Sequence, residues 1–425
     1  MDDLQGKRLL ILGATGLMCS VVETARRMGV YTIVTDYYPD AMAKKTADKR
    51  YDVSTTDIDA LERIAREEKV DGVFTGFSDV NLYSARELCD RLGLPFYATR
   101  EQLDMTTNKL KFKEMCRRHG VPTVKQYELD SRCLPEHLSR IEYPLIVKPA
   151  DSYASKGCSV CRNEQDLRDA VEKALPFSAS KQIIVERYMD PNHCDDVVIS
   201  YLFVNGTAYL EFVGERYTNT EQKGMAPLAA AIVSPASYVE AYMQEVDANT
   251  KEMFASIGVS DGRVFIQAFH DDKGFYFYEM GFRLSGGEEY IPVKKEWGVD
   301  EPAALIRYAL TGSMLRNDRS ISCTPLYHAC YCNLVFLCSA GTIHRIEGLD
   351  QVQNDPRVLR LTKLMKPGDT VQANGTLSQV LCRVYLKEQT RDKLQKAIAE
   401  IGRSIIAYDE NGEPMMLKVY GADFV

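Results

Sequence analysis

The sequence has little of what marks a membrane protein, a nucleic-acid binder or a secreted protein. No apolar run reaches the roughly 18 residues that a membrane span requires. Positive charge is in deficit, since 52 Lys and Arg against 60 Asp and Glu give a formal net charge of −8. An acidic surface is unfavourable for binding nucleic acid or an anionic membrane. The short acidic start, MDDLQGK, shows no signal-peptide pattern.

Zinc-binding and disulfide patterns are also missing. The 12 cysteines are scattered along the chain. Cys158 and Cys161 are close, as are Cys330 and Cys332, but neither pair has a second pair at the spacing of a zinc site. We therefore predict reduced thiols and a cytoplasmic location. With 425 residues and ordinary apolar, aromatic and charged fractions, the chain has room for two or three globular domains.

The first hundred residues alternate between strand and helix patterns. Residues 7–12 predict a buried strand, 13–16 a tight turn and 18–28 an amphipathic helix, and a second strand ends at Asp36. The alternation continues to about residue 98 and predicts a parallel, wound sheet. This βαβ start resembles a dinucleotide-binding fold, in which a carboxylate at the end of the second strand binds a ribose. The fingerprint is incomplete because Cys19 stands where a third glycine is needed.

Charged residues then occur where helix and strand patterns begin or end. Lys109 lies in the first turn of a predicted helix, where the helix dipole favours negative charge. Lys148 lies in a short apolar strand, and lysine is rarely buried without a partner. The small-residue loop 151–158 follows, and such a loop can donate backbone N–H groups to phosphates. A further apolar strand ends at Glu186. Solvated surface lysines and an ordinary polar loop are the alternatives.

Residues 265–287 predict a β-hairpin that ends in a carboxylate and an arginine. Alternation places one set of side chains on a single face: Phe265, Gln267 and Phe269 from the first strand, and Phe275, Phe277 and Glu279 from the second. The turn is predicted over 270–274, and pairing across it brings Gln267 near Glu279. One oxygen ligand from each strand, with Arg283 just beyond, suits a Mg²⁺–phosphate clamp. A buried hairpin with one satisfied carboxylate is the alternative.

Four motifs in this order resemble the ATP-grasp superfamily: Asn108-Lys109, residues 146–149 with the loop after them, residues 184–188, and residues 279–283. The chain looks like the branch that contains biotin carboxylase, the formate- or CO₂-fixing purine enzymes and amino-acid ligases. The resemblance implies an α/β fold with an N-terminal wound parallel sheet, the pre-ATP-grasp domain, over 1–98. It further implies a two-lobed ATP-grasp domain over 99–320 and a small α+β C-terminal domain over 321–425. The same βαβ start is expected in such a first domain, which removes the redox-cofactor interpretation.

The resemblance also implies roles for individual residues. Lys109 and Lys148 would contact the nucleotide phosphates beneath a lid that contains Ser152, Ser155, Lys156 and Gly157. Glu186 and the main chain of Arg187, Tyr188 and Met189 would hold the adenine edge, and Asp195 or Asp196 would meet the ribose or the substrate. Gln267 and Glu279 would hold Mg²⁺, Arg283 would neutralise the phosphate or acyl phosphate being made, and Lys223 would be a second cation on the substrate side.

Two departures from the family pattern concern the metal. The family usually has an acid where Gln267 stands and an asparagine where Gly281 stands. The site is therefore expected to hold one ion firmly, or to complete a second with substrate oxygens.

The function that the resemblance implies is ADP-forming ligation of a small-molecule carboxylate to an amine through an acyl phosphate. ATP and Mg²⁺ are the expected cofactors, and a homodimer is expected, with neither nucleic acid nor membrane as a partner. Carboxylation through carboxyphosphate, and a nucleotide-binding regulatory protein without turnover, are the alternatives.

Overall fold

Two four-stranded sheets and one eight-stranded sheet organise the chain. The structure is a computed structural model, and it describes residues 3–129, 141–151, 157–191, 193–221, 228–316, 320–373 and 375–422. No helix within those ranges is long and apolar enough to cross a membrane. The cysteines in the same ranges are free thiols.

The first sheet is parallel, in the strand order β3-β2-β1-β4. Its elements are β1 (Arg8–Leu12), α1 (Met18–Arg27), β2 (Tyr31–Thr35), β3 (Lys49–Tyr51), α2 (Ile58–Glu67), β4 (Gly72–Phe74) and α3 (Asp79–Leu92). Alternate residues of β1 enter two different cores: Leu10 packs with residues of α2 and α3, and Leu9 packs with residues of α1. Apolar residues on both faces are typical of a parallel strand covered by helices. The predicted wound sheet is confirmed.

The second sheet is antiparallel, in the order β5-β8-β6-β7. The elements of this region are α4 (Arg100–Thr107), α5 (Lys109–Arg118), β5 (Gln126–Tyr127), β6 (Leu145–Pro149), β7 (Ser159–Cys161), α6 (Glu164–Ala174) and β8 (Ile183–Arg187). Helix α5 begins after Asn108, whose side chain accepts hydrogen bonds from the amides of Leu110 and Lys111. This cap satisfies two amides that have no partner within the helix.

The third sheet has eight strands in the order β13-β12-β9-β10-β11-β14-β19-β17. Its strands are β9 (Asp195–Val204), β10 (Thr207–Asn219), β11 (Leu228–Ser234), β12 (Gly262–Asp271), β13 (Gly274–Gly281), β14 (Cys330–Leu337), β17 (Val358–Lys363) and β19 (Val380–Glu388). Because β11 pairs with β14, this sheet runs across residue 320, where the sequence predicts a domain boundary. The three-domain division stays a prediction.

Smaller elements complete the fold. The remaining helices are α7 (Val239–Glu245), α8 (Asp247–Ser256), α9 (Tyr290–Trp297), α10 (Glu301–Thr311), α11 (Leu349–Gln353) and α12 (Arg391–Gly402). The remaining strands are β15 (Gly341–Thr342), β16 (Arg345–Glu347), β18 (Thr370–Val371) and β20 (Ile406–Tyr408). Helix α12 packs on β14 and β19 through Leu394, Ile398 and Ile401, which is the apolar stripe that its 3.6-residue period predicts.

The hairpin of β12 and β13 has the predicted register at its centre but not the predicted faces. Gln267 lies opposite Glu279, as expected, whereas the next pair is Ala268 with Phe277, so Tyr278 is an extra residue on β13. A bulge of this kind interrupts the alternation of side chains along a strand. Phe277 is consequently buried in the core, while Tyr278 and Glu279 both face a cavity. The prediction that Phe275 and Phe277 share a face with Glu279 is therefore wrong.

Candidate active site

A cavity of about 400 Å³ lies between the second sheet and the β9, β10 and β13 strands of the third. Its lining includes eight of the residues that the sequence analysis names for the site: Lys148, Glu186, Arg187, Tyr188, Met189, Asp195, Asp196 and Glu279. Phe269 and Tyr278 also line it, with their rings stacked at a centroid distance of 4.6 Å. The cavity therefore offers aromatic surface together with both cations and carboxylates.

A buried group of three charges forms one wall of this cavity. Glu186 lies between two lysines, with Lys148 Nζ 2.7 Å from its Oε2 atom and Lys113 Nζ in contact with its Oε1 atom. The three side chains are between 1% and 8% exposed. Antiparallel pairing places Lys148 and Glu186 diagonally across β6 and β8, which is why two residues so distant in sequence meet.

The pKa values of these groups reflect a competition between burial and charge. Burial raises the pKa of Glu186, but the Lys148 and Lys113 ammonium groups outweigh it and hold the pKa below its usual value. For Lys148, burial lowers the pKa, and the Glu186 carboxylate more than compensates, so that the pKa is raised. For Lys113 burial dominates, and the pKa is lowered. Lys148 is thus a cation that the fold keeps charged.

Helix α5 supplies a second cation beside Glu279, which lines the cavity. Lys109 and Lys113 are four residues apart and lie on the buried face of the helix, whereas Lys111 lies on the exposed face. Lys109 Nζ is 3.7 Å from Glu279 Oε1. The sequence singles out Lys109, whereas the contact of Lys113 with Glu186 depends on how α5 and β8 meet in the tertiary structure.

Glu279 and Gln267 face each other on the hairpin as the predicted metal ligands. The Glu279 side chain is 37% exposed, so its carboxylate is accessible from the cavity. No group of three or more His, Cys, Asp or Glu placed to hold a metal ion occurs in the described parts of the chain. Mg²⁺ usually binds through one or two protein oxygens together with substrate phosphates and water. These two residues therefore fit one such ion.

The glycine that replaces the family's asparagine is explained by its neighbour. A Cβ atom on Gly281 would lie 2.4 Å from Cε1 of the Phe265 ring, so the ring occupies the space that a larger side chain would need. The Arg283 guanidinium lies 5.0 Å from the centroid of the same ring. An aromatic ring and a cation thus lie beside Gly281, and whether the site holds one ion or completes a second with substrate oxygens stays a prediction.

Arg283 is held by the N-terminal part of the chain. Its Nε and Nη2 atoms donate to the two carboxylate oxygens of Asp79 at 2.7 and 2.6 Å, at the first residue of α3. Burial lowers the pKa of Arg283, but Asp79 and, further away, Glu279 raise it overall. The motif that ends at Arg283 is therefore tied to the first sheet through an ion pair that sequence reasoning missed.

Both aspartates proposed for the ribose or the substrate line the first cavity, but Asp196 is mostly buried and paired, whereas Asp195 is exposed. Asp196 accepts hydrogen bonds from Arg216 Nε at 2.9 Å and Arg216 Nη2 at 2.5 Å, and Tyr278 Oη donates to it at 3.2 Å. The Asp195 side chain is 61% exposed at the cavity wall. The Arg216–Asp196 pair is a further feature that the sequence did not reveal.

Part of the predicted lid and one predicted catalytic residue lie outside the described residues: Ser152, Ser155, Lys156 and Lys223. Gly157 ends the lid segment with a φ of +77°, and a Cβ atom there would lie 2.9 Å from Pro149 Cγ. Glycine is the residue that tolerates this backbone conformation and this close approach.

A second cavity, of about 890 Å³, lies at the carboxyl ends of the first sheet. One wall is the turn at residues 13–17 with Asp36, Ser78 and Asn81, and the other includes Leu364, Val380 and Arg383 of the C-terminal region. The Asp36 carboxylate accepts hydrogen bonds from the amides of Ala14 and Tyr38, both at 2.9 Å. Asp36 thus fixes the turn and the loop after β2.

Comparison with known proteins finds a family match for the central region of the chain. Residues 115–281 match the family described as D-ala D-ala ligase C-terminus. A formate-dependent phosphoribosylglycinamide formyltransferase of Methanocaldococcus jannaschii is 27% identical over 211 residues, which are 49% of this chain and 54% of that protein. The matched segment thus spans about half the length of this relative.

Solved structures resemble nearly the whole chain. An L-amino acid ligase from Bacillus licheniformis superposes with a TM-score of 0.78 and 18% identity, over 96% of this chain and 100% of the other. The biotin carboxylase domain dimer of the Hydrogenobacter thermophilus 2-oxoglutarate carboxylase was solved with MgADP, ADP and bicarbonate. It superposes with a TM-score of 0.77 and 16% identity, over 97% of this chain and 92% of the other. The chain therefore has the fold of these ligases and carboxylases, and the resemblance of its sequence to the ATP-grasp superfamily is confirmed.

Proposed function

We propose that the protein is an ADP-forming ligase that joins a small-molecule carboxylate to an amine at the expense of ATP. The observation that carries the proposal is that Lys148 and Glu279 line one cavity between two sheets, with Lys109 beside Glu279. The relatives support it, because they include a formate-dependent formyltransferase and an amino acid ligase. The nucleotide site is the first cavity.

The reaction requires two anions to approach each other. An oxygen of the substrate carboxylate attacks the γ-phosphorus of ATP, the bond between that phosphorus and the β-γ bridging oxygen breaks, and ADP leaves with an acyl phosphate remaining. The amine nitrogen then attacks the acyl carbon, the bond to the phosphate oxygen breaks, and the amide and inorganic phosphate form, with the amine proton passing to phosphate or solvent. Both steps concentrate negative charge, which positioned cations stabilise.

Three cations each have a defined part in this scheme. Lys148, kept charged and immobile by Glu186, binds the phosphates from the second sheet. Lys109 binds them from α5, beside Glu279. Arg283, fixed in orientation by Asp79, stands beyond Glu279 at the end of β13 and stabilises charge on the transferred phosphoryl group. Phe269 and Tyr278 supply an aromatic wall that a flat base fits.

Magnesium completes the charge balance. Glu279, with Gln267 opposite, would hold one Mg²⁺, which when bound supplies Lewis-acid stabilisation of the phosphate oxygens. The biotin carboxylase domain with the same fold was solved with MgADP, which supports this assignment. A cytoplasmic location and a homodimer belong to the same proposal, the latter because that neighbour is a dimer.

Calorimetric titration of MgADP tests the nucleotide site. Lys148→Met should weaken binding at least tenfold, since a charge-assisted hydrogen bond contributes about 1.5–3 kcal/mol. Lys125→Met is the matched control, because Lys125 is half-exposed and pairs with Glu142 on the surface. Equal affinity in the wild type and Lys148→Met would remove Lys148 from the site.

A screen of ADP release tests the reaction. ADP formation that requires both a carboxylate and an amine supports ligation. ADP formation that requires bicarbonate and no other carboxylate would replace ligation by carboxylation. Tight MgADP binding with no ADP formation from any pair would overturn the proposal in favour of a regulatory nucleotide-binding protein.

A further inference from the structure

One extra residue in β13 turns Glu279 from the core towards the first cavity. Phe277 faces the core, opposite Ala268 of β12. Side chains alternate along a strand, so without an extra residue Glu279 would face the core as well. Tyr278 is that extra residue, and both Tyr278 and Glu279 line the first cavity. The direction of Glu279 therefore depends on the bulge.

The Glu279 side chain does not fix its own direction. Its carboxylate is 3.7 Å from Lys109 Nζ, beyond hydrogen-bond distance, and no residue that the structure describes donates a hydrogen bond to it. The chain just before the bulge is held through its backbone, because Phe277 N donates to Pro122 O at 2.9 Å and Phe277 O accepts from Val124 N at 3.3 Å. What remains to be held is the extra residue itself.

The hydroxyl of Tyr278 closes a ring of hydrogen bonds with Arg216 and Asp196. Arg216 donates to Asp196 Oδ2 from Nε at 2.9 Å and from Nη2 at 2.5 Å, and its Nη2 atom also donates to Tyr278 Oη at 3.0 Å. Tyr278 Oη donates in turn to Asp196 Oδ1 at 3.2 Å. The Arg216 and Asp196 side chains are 20% and 14% exposed. Hydrogen bonds to charged groups are among the stronger ones in proteins, so this ring holds the hydroxyl in place.

The ring of hydrogen bonds belongs to one row of side chains across four neighbouring strands. Phe269 of β12 lies opposite Asp196 of β9, and Asp196 lies opposite Arg216 of β10. The Tyr278 ring stacks on Phe269, and its hydroxyl reaches past that ring to β9 and β10, strands with which β13 does not pair. Lys148 Nζ lies 5.6 Å from the centroid of the Tyr278 ring. The extra residue is thus tied to the interior of the sheet by its side chain.

We propose that Asp196 and Arg216 are positioning residues for the metal ligand. By binding the Tyr278 hydroxyl they keep the bulge of β13, and the bulge keeps the Glu279 carboxylate directed into the first cavity. Asp196 then acts through Tyr278 rather than on the ribose or the substrate. The role of Glu279 as a metal ligand rests on the proposed function. The link between the hydrogen-bonded ring and the bulge does not, because it follows from the contacts alone.

Calorimetric titration of ADP with and without Mg²⁺ tests this proposal in Tyr278→Phe, which keeps the ring on Phe269 and removes the hydroxyl. The affinity for ADP without metal should equal that of the wild type, because the aromatic wall remains. The gain in affinity on adding Mg²⁺ should fall about 3- to 10-fold, because Glu279 no longer faces the ion in every molecule. The matched control is Tyr276→Phe, which removes a hydroxyl that interacts with Asp271 in the same hairpin, and it should keep the wild-type gain.

Arg216→Lys extends the test to the other end of the row. Lysine keeps the charge but loses the planar fork that contacts Asp196 and Tyr278 together, so the gain from Mg²⁺ should fall in this variant too. A gain equal to that of the wild type in Tyr278→Phe overturns the proposal. An equal loss of ADP affinity with and without Mg²⁺ also overturns it, because that result is expected of a residue that only stabilises the fold.

Hydrogen exchange in the ligand-free protein provides a readout that needs neither metal nor nucleotide. Amides of β13 should exchange faster in Tyr278→Phe than in the wild type and at the wild-type rate in Tyr276→Phe; unchanged exchange in Tyr278→Phe contradicts the link between the hydroxyl and the bulge. Wild-type protein whose ADP affinity does not rise with Mg²⁺ would overturn the metal site of the proposed function, and the positioning role with it. A normal gain in the wild type that Tyr278→Phe retains overturns the positioning role alone.

Discussion

Replacement of Glu186 by glutamine tests how the first cavity keeps its lysines charged. In the wild type one carboxylate neutralises part of the charge of two ammonium groups whose side chains are 1% and 8% exposed. Glu186→Gln removes that carboxylate and leaves Lys113 and Lys148 buried side by side. Removal of one member of a buried ion pair typically costs 3–5 kcal/mol, so we expect a loss of about that size in the free energy of unfolding at pH 7.

The pH dependence of this loss has a definite sign. Without Glu186 the folded-state pKa values of both lysines should fall below their unfolded values, so the unfolded chain binds more protons than the folded one. Stability of the variant should then rise with pH, by up to about 1.4 kcal/mol per pH unit for each proton. In the wild type the pKa of Glu186 is lowered from 4.5. Its carboxylate therefore stabilises the folded state fully above pH 4.5, and this contribution to the free energy of unfolding is lost as the pH falls below that value.

Urea unfolding at pH 7 and at pH 9.5 measures both effects. The difference between Glu186→Gln and the wild type should shrink by about 1–2 kcal/mol at the higher pH. The double variant Glu186→Gln with Lys113→Met should recover part of the loss at pH 7, since only one unpaired ammonium remains. A loss below about 1 kcal/mol, or one that does not change with pH, would refute the view that these three side chains act as one buried charge network.

Three further predictions concern the neighbouring residues. In a Mg²⁺ titration of ADP formation, Glu279→Gln should need a far higher Mg²⁺ concentration for half-maximal rate, and Gln267→Glu should need a lower one. An unchanged Mg²⁺ dependence in both variants would show that the hairpin does not bind the metal. Gly157→Ala should lower the free energy of urea unfolding by about 1–2 kcal/mol because of the positive φ, and an effect near zero would show that the backbone adapts. Arg283→Lys should lower kcat about tenfold or more with little change in MgADP affinity, because lysine loses the bidentate contact with Asp79; a wild-type kcat would place Arg283 outside the chemistry.

The sequence alone determined the order of elements and the positions of the main charges. The parallel first sheet followed from alternating strand and helix patterns, because that alternation leaves few other arrangements. Lys148, Glu186 and Glu279 could be singled out because a charged residue in or at the end of a short apolar strand must either reach solvent or find a partner. The register that pairs Gln267 with Glu279 followed from the short turn between their strands.

Only the tertiary structure decided which charges meet and which faces they occupy. The bulge at Tyr278 breaks the alternation on which the predicted faces of the hairpin depended, because one extra residue turns the side chains of a strand to the other side. The pairing of Arg283 with Asp79 joins residues 204 positions apart, and no local pattern encodes such a contact.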